Sequence, residues 1–167
     1  MATRLGQLTG LPVVHLDSLF WNPGWVQTPS ALMAEKVHAA ADQPAWVIDG
    51  NYSSTRDYRL ERADTVIYLD FNHYTCLFRA FKRFFKNYGR TRSDLGEGCP
   101  EQMDWVFIKW IWRFPKRSRG DILGWLAAAQ PSKQIIHLKG NKAVRDFLSQ
   151  VQSQYSNTPE STKNLYS

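Results

Sequence analysis

Val13-Val14-His15-Leu16-Asp17, Trp46-Val47-Ile48-Asp49-Gly50-Asn51-Tyr52 and Thr65-Val66-Ile67-Tyr68-Leu69-Asp70 decide the fold. Each contains a short apolar run closed by a carboxylate. Strands buried on both faces of a parallel sheet read this way, and ligands of such sheets bind beyond the carboxyl ends of the strands. Asp17, Asp49 and Asp70 are therefore expected along one edge of a parallel sheet. No G-x-x-x-x-G-K-S/T stretch occurs in the chain. The backbone cradle and lysine with which such an edge commonly holds phosphate are thus missing from it.

Working outward, strands alternate with helices, which predicts an α/β fold with a parallel sheet. A helical stub over 2–9 ends at Gly10, and the strand at Val13 follows. The segment 18–28 is aromatic and turn-rich. A helix is expected over 29–41, with Pro29 in the first turn, where its missing N–H is harmless. The strand from Trp46 leads into a polar loop carrying Arg56 and Arg59, then the strand from Thr65. A long helix from His73 to about Tyr88 precedes a glycine-bearing loop, 89–101. Two further helices, 101–113 and 116–129, bring the chain to a strand at 134–138 and a closing helix at 142–151. Residues 1–151 read as one domain, and the polar, aperiodic 152–167 as a disordered tail.

The composition suits one domain with a real core: 167 residues, 43% hydrophobic, seven tryptophans. A net charge of +6 favours an anionic partner, whether nucleotide, nucleic acid or acidic membrane surface. Cys76 and Cys99 are too few for a disulfide framework or a four-cysteine zinc site, and read as free thiols in a reducing compartment. No apolar stretch approaches a membrane span, and the first residues lack a basic segment followed by an apolar run. The expected setting is the cytoplasm, without a membrane partner.

Along the helix from His73, Leu77, Phe78, Phe81, Phe84, Phe85 and Tyr88 form one stripe, and Arg79, Lys82, Arg83 and Lys86 fall mostly on another. A packed helix with a solvated basic face and a ligand-binding face both fit this spacing. Arg79 and Arg83 lie one turn apart, which permits convergence on one phosphate chain without establishing it. Most tryptophans are expected in the core. Trp21 and Trp25, in a Pro/Gly-rich loop past Asp17, are equally suited to stacking on a planar acceptor. His15 reads as a satisfied interior histidine.

Asp49-Gly50 followed by Arg56, the run Thr65 to Asp70, and Arg79-x-x-x-Arg83 resemble the core of adenylate kinases and their P-loop kinase relatives. More specific stretches are Phe20-Trp21-x-Pro23-Gly24-Trp25, Gly96-Glu97-Gly98-Cys99-Pro100-Glu101 and Trp110-Ile111-Trp112, the last followed by Phe114-Pro115-Lys116-Arg117-Ser118-Arg119. With the stretches quoted first, they resemble the bacterial DNA topology modulation proteins over roughly residues 2–150. The resemblance implies an adenylate kinase-like P-loop NTPase fold with helices on both faces of the sheet. It also implies ATP and Mg2+ as cofactors and phosphoryl transfer to a small acceptor. Asp49 would hold magnesium through water. Asp17, Trp21, Asn51 and Arg56 would bind the acceptor, Arg59 being a weaker candidate. Arg79, Arg83, Arg117 and Arg119 would neutralise the moving phosphoryl group, under a lid at about 89–101.

One departure matters. Against these relatives, Met1 falls directly after their G-K-S-T, so their first strand, which lies in the sheet between the strands at Trp46 and Thr65, and their phosphate-binding loop have no counterpart here, and one parallel sheet with a defect at that place is expected. A misassigned start would account for this, and the chain as it stands is expected to be inactive. The other reading, suggested by the family's name, is a nucleic-acid-binding or regulatory protein that uses the basic helix.

Overall fold

In the computed structural model, which describes residues 1–89, 98–100, 105–129 and 133–156, the apolar runs form two separate parallel pairs. β1 (Val13–His15) pairs with β4 (Val47–Asp49), setting His15 beside Asp49. β5 (Thr65–Asp70) pairs with β6 (Gln134–Lys139), setting Asp70 beside Lys139. The pairs are not hydrogen-bonded to each other. The expected parallel sheet is divided into two half-sheets, and the break falls between β4 and β5, where the resemblance led to the expectation of a defect. A small antiparallel hairpin, β2 (Trp21–Asn22) with β3 (Val26–Gln27), stands apart.

Both half-sheets start from the same end. The crossover from β4 runs through the short 3-10 turn Ser53–Thr55 and α4 (Arg56–Arg62) before β5. Arg62 at the end of α4 donates to Asp42 at 2.5 Å, and the Tyr58 hydroxyl donates to the same carboxylate at 2.8 Å. Asp42 closes α3 (Ser30–Ala41), the helix that precedes β4. The segments leading into β4 and β5 are thus fastened together, and the strands run the same way.

Helices cover both faces. α1 (Ala2–Thr9) packs against α7 (Gly140–Ser156) on one side of the break, and α6 (Trp105–Ala129) lies on the other. α5 (His73–Asn87) packs along α6. The buried centre is Leu16, Met33 and Val37, with Leu19, Phe20, Ile48 and Tyr52 packed around it.

Several expectations are corrected. The first strand ends at His15, because Leu16 turns inward as the first residue of α2 (Leu16–Phe20) and Ser18 donates to the His15 carbonyl at 2.7 Å. Asp17 accordingly sits in the first turn of α2. The polar loop with Arg56 and Arg59 is largely α4, with Asp57 in its first turn and Arg59 and Arg62 in its last, the charge order that complements the helix dipole. The two helices expected on either side of Pro115 are one. An interior proline costs about 3 kcal/mol, and burial of Ile111 and Leu126 on either side opposes that cost. α7 continues past Val151 to Ser156, so helix replaces the start of the expected tail; 157–167 lies outside the described residues. The aromatic residues of α5 and α6 are not mainly core: Phe78, Phe85 and Trp105 are 69%, 76% and 75% exposed, and Trp110 and Trp112 are also exposed.

Leu16 is fully buried at the point where strand becomes helix. Replacing it with alanine is expected to cost about 2–5 kcal/mol, read as a lower urea midpoint with little change in slope. A loss under about 1 kcal/mol would mean the core lies elsewhere.

Candidate functional site

At the carboxyl edge of the first half-sheet, His15 and Asp49 meet side by side, imidazole Nδ1 to carboxylate Oδ1, at 2.5 Å. The other ring nitrogen of His15 reaches the Thr3 hydroxyl at 3.3 Å. His15 is therefore satisfied, as expected of an interior histidine, and Asp49 keeps a half-exposed carboxylate. Asp17, in the next turn, accepts a 2.7 Å hydrogen bond from the Tyr52 hydroxyl. Burial, and then the Asp17 carboxylate, push the Tyr52 phenol far above its ordinary range, so it stays a donor.

The loop from Gly50 to Thr55 is held from behind. Arg59 donates to the carbonyls of Thr55, Gly50 and Tyr52 at 3.3, 3.3 and 2.8 Å. Burial lowers the Arg59 pKa, with Arg56 adding like-charge repulsion. The residue is a clamp on the backbone. Gly50 has φ +132°, and a Cβ there would lie 2.8 Å from the Leu16 Cβ, so only glycine lets the chain turn beneath Leu16. Asn51 is exposed on this loop. The Arg56 guanidinium lies over the Trp125 ring at 5.1 Å, and its buried Nε has no hydrogen-bond partner.

Aromatic rings extend the site from Tyr52. Phe20 lies 4.9 Å from Tyr52 and 4.7 Å from Trp21, and Trp21 meets Trp25 edge-on at 5.3 Å. Residues 98–100 rest on this hairpin. Gly24 N donates to the Gly98 carbonyl at 3.0 Å, Trp25 Nε1 to the Pro100 carbonyl at 3.1 Å, and the buried Cys99 thiol to the Asn22 carbonyl at 3.1 Å. The rest of the expected lid, 90–97 and 101, lies outside the described residues.

The second half-sheet carries a different cluster. Arg119 donates to both oxygens of Asp70, at 3.1 and 2.8 Å, and His137 Nε2 lies 2.9 Å from the same carboxylate. Asp70 does not cap α5; Asn72 does, accepting from Thr75 N at 2.8 Å. Arg79 donates to Asn141 at the start of α7 and lies over the Phe71 ring at 3.9 Å, whereas Arg83 lies over Phe107 at 5.9 Å. Arg79 and Arg83 thus face different partners. Arg117 is exposed on α6. Of the four arginines, Arg79 and Arg119 reach the carboxyl edge of β5 and β6.

Comparison with protein families, curated proteins and solved structures finds no match. The site therefore has to be read from its own chemistry. Tyr52 and His137 complete it in ways the sequence did not signal, and so does the clamping role of Arg59, which the sequence offered only as a weaker acceptor candidate. Tyr52 carries no charge pattern, Arg59 acts on carbonyls distant from its own helix turn, and His137 alternates within an apolar strand. Among the described residues no group of three His, Cys, Asp or Glu side chains could hold a metal by itself.

Hydrogen bonds from Arg119, joined by those of His137, hold the Asp70 carboxyl below its ordinary range against the opposing effect of burial. Its contribution to stability is then fully present above about pH 4 and is lost as pH falls through the lower folded-state value. Asp70→Asn should lower the melting temperature at pH 7, with the gap from the parent narrowing steadily below about pH 4. Melts across that range check this, and a gap independent of pH would contradict it.

Proposed function

We propose that this chain supplies the acceptor-binding and arginine-bearing parts of an ATP-dependent phosphotransferase of the adenylate kinase-like kind. Turnover then requires a strand and a phosphate-binding loop at the break between β4 and β5. The observation that supports this reading is the placement of polar groups at the carboxyl edges of two parallel half-sheets on either side of that break. A P-loop kinase-like fold is the frame in which such a placement makes sense, and free thiols at Cys76 and Cys99 agree with a cytoplasmic setting. No helix among the described residues is long and apolar enough to cross a membrane.

The residues present fit one part of the implied cofactor and not the other. Magnesium is held by one or two carboxylates together with water and substrate phosphates, and the half-exposed Asp49 suits that role. The triphosphate needs a row of oriented backbone amides and a lysine, and no stretch of this sequence has that motif. Phosphoryl transfer depends chiefly on positioning and charge neutralisation. This chain's share of that work is the acceptor. Trp21 and its aromatic neighbours offer a flat apolar wall, Tyr52 fixes the Asp17 carboxylate, and Asn51 and Arg56 offer polar contacts on a loop that Arg59 keeps rigid. Arg79, Arg83, Arg117 and Arg119 are the candidates for neutralising charge, and Arg119 must exchange Asp70 for phosphate to do so.

The nucleic-acid reading has an observation of its own. Exposed Phe78 and Phe85 alternate on α5 with Arg79, Lys82 and Lys86, the combination of stacking rings and cations that single strands use.

The 167-residue chain should bind no ATP by calorimetry, and the same chain with an apolar strand and a G-x-x-x-x-G-K-S/T loop joined ahead of Met1 should bind it with magnesium dependence. Equal binding by the short chain would overturn the phosphotransferase reading. A salt titration with a single-stranded oligonucleotide addresses the other reading. Affinity falling steeply with salt and reduced alike by Arg79→Ala, Lys82→Ala and Lys86→Ala would favour it.

A further inference from the structure

Tyr74, Phe78, Phe81, Phe85 and Tyr88, the last of them closing α5, recur at alternating intervals of four and three residues, which sets five rings in one stripe along the helix. The stripe faces outward: Tyr74 is 65% exposed, Phe85 76% and Tyr88 72%. Another side of α5, marked by the buried Ala80, meets the rest of the molecule. Arg79, Lys82 and Lys86 form an exposed row beside the rings. α6 widens this surface. Trp112 meets Tyr74 edge-on at 5.7 Å and Arg83 lies over Phe107 at 5.9 Å, so the two helices run antiparallel, side by side. Trp105 and Trp112, two turns apart on one face of α6, are exposed, as is Val106. Lys109 and Arg113 stand exposed among them.

Apolar side chains exposed together in this way mark a contact surface, and its charge selects the partner. α5 contains no Asp or Glu, and neither does α6 before Asp121. The partner is therefore anionic. A second copy of the chain set on the same face brings cations against cations, which opposes binding. A folded protein must offer a hollow for each projecting ring, whereas a lipid surface takes up any relief. A single strand stacks its bases along a row of rings, but here the apolar side chains are two helices wide and include Val106, which offers no ring.

We propose that the face shared by α5 and α6 docks on an anionic phospholipid bilayer, with the rings of α5 and the exposed tryptophans of α6 in the headgroup layer and the neighbouring lysines and arginines on lipid phosphates. Tryptophan and tyrosine settle at headgroup depth. The stems of lysine and arginine lie along apolar surface while their charges reach the phosphates. A helix with one aromatic and one cationic side lies in the plane of such a surface. Attachment of this kind needs no spanning helix, and none is present among the described residues. The proposal is independent of phosphoryl transfer, since the face includes neither Asp17 nor the loop from Gly50.

The test sediments the whole chain with vesicles of phosphatidylcholine alone and of phosphatidylcholine mixed with phosphatidylglycerol. The mixed vesicles are expected to bind at least about tenfold more tightly, since each lysine or arginine near the surface adds to the attraction. Phe78→Ser combined with Phe85→Ser should weaken that binding at least about tenfold while leaving the urea midpoint unchanged, because both rings are exposed. Lys82→Glu combined with Lys86→Glu should remove most of the preference for phosphatidylglycerol. Hydrogen exchange in the parent gives a readout without substitution: mixed vesicles should slow it in 74–87 and 105–113 and leave 13–15 unchanged. Equal binding to both vesicles, binding to neither, full binding by the serine variant, or protection confined to other segments would overturn the proposal. So would self-association that the serine variant abolishes in the absence of lipid. A single-stranded oligonucleotide that binds through Phe78 and Phe85, where vesicles do not bind, would assign the face to nucleic acid instead.

Discussion

The spacing between β4 and β5 is set by a crossover pinned at both ends, and the remaining architecture follows from it. At its far end Arg62 and Tyr58 grip Asp42, which ties the approach to β5 to the approach to β4. At its near end Arg59 draws the carbonyls of Gly50, Tyr52 and Thr55 together. α4 is thus a strut between two parallel strands that are not hydrogen-bonded to each other.

The division into half-sheets also divides the chemistry. At the first edge Asp49 is engaged by His15 but stays half-exposed, Asp17 is engaged by Tyr52, and Arg56 leans on an indole. The second edge holds its charge in reserve. Asp70 neutralises Arg119 and attracts His137, so a cation is stored beside the sheet in a compensated state. An anion arriving there would have to compete with a carboxylate already in place.

Particular residues show what could be read from the sequence. β5 has the expected bounds because Thr65 to Asp70 is apolar on successive positions, as burial on both faces requires. The helical stripe of α5 was visible as a pattern, but spacing records only which side chains share a face and not whether another element covers it. Phe78 and Phe85 share that face and remain exposed. The two helices expected over 101–113 and 116–129 are one, and the burial of Ile111 and Leu126 that supports their continuity is tertiary. The clamp of Arg59 was hidden for the same reason: its acceptors are main-chain oxygens, which every residue has and no sequence pattern marks.

Cys99 gives the molecule a built-in reporter. Its thiol is buried and donates to the Asn22 carbonyl, while Cys76 on α5 is only partly covered. The rate at which Cys99 is alkylated, set against that of Cys76, therefore reports how firmly residues 98–100 hold to the aromatic hairpin.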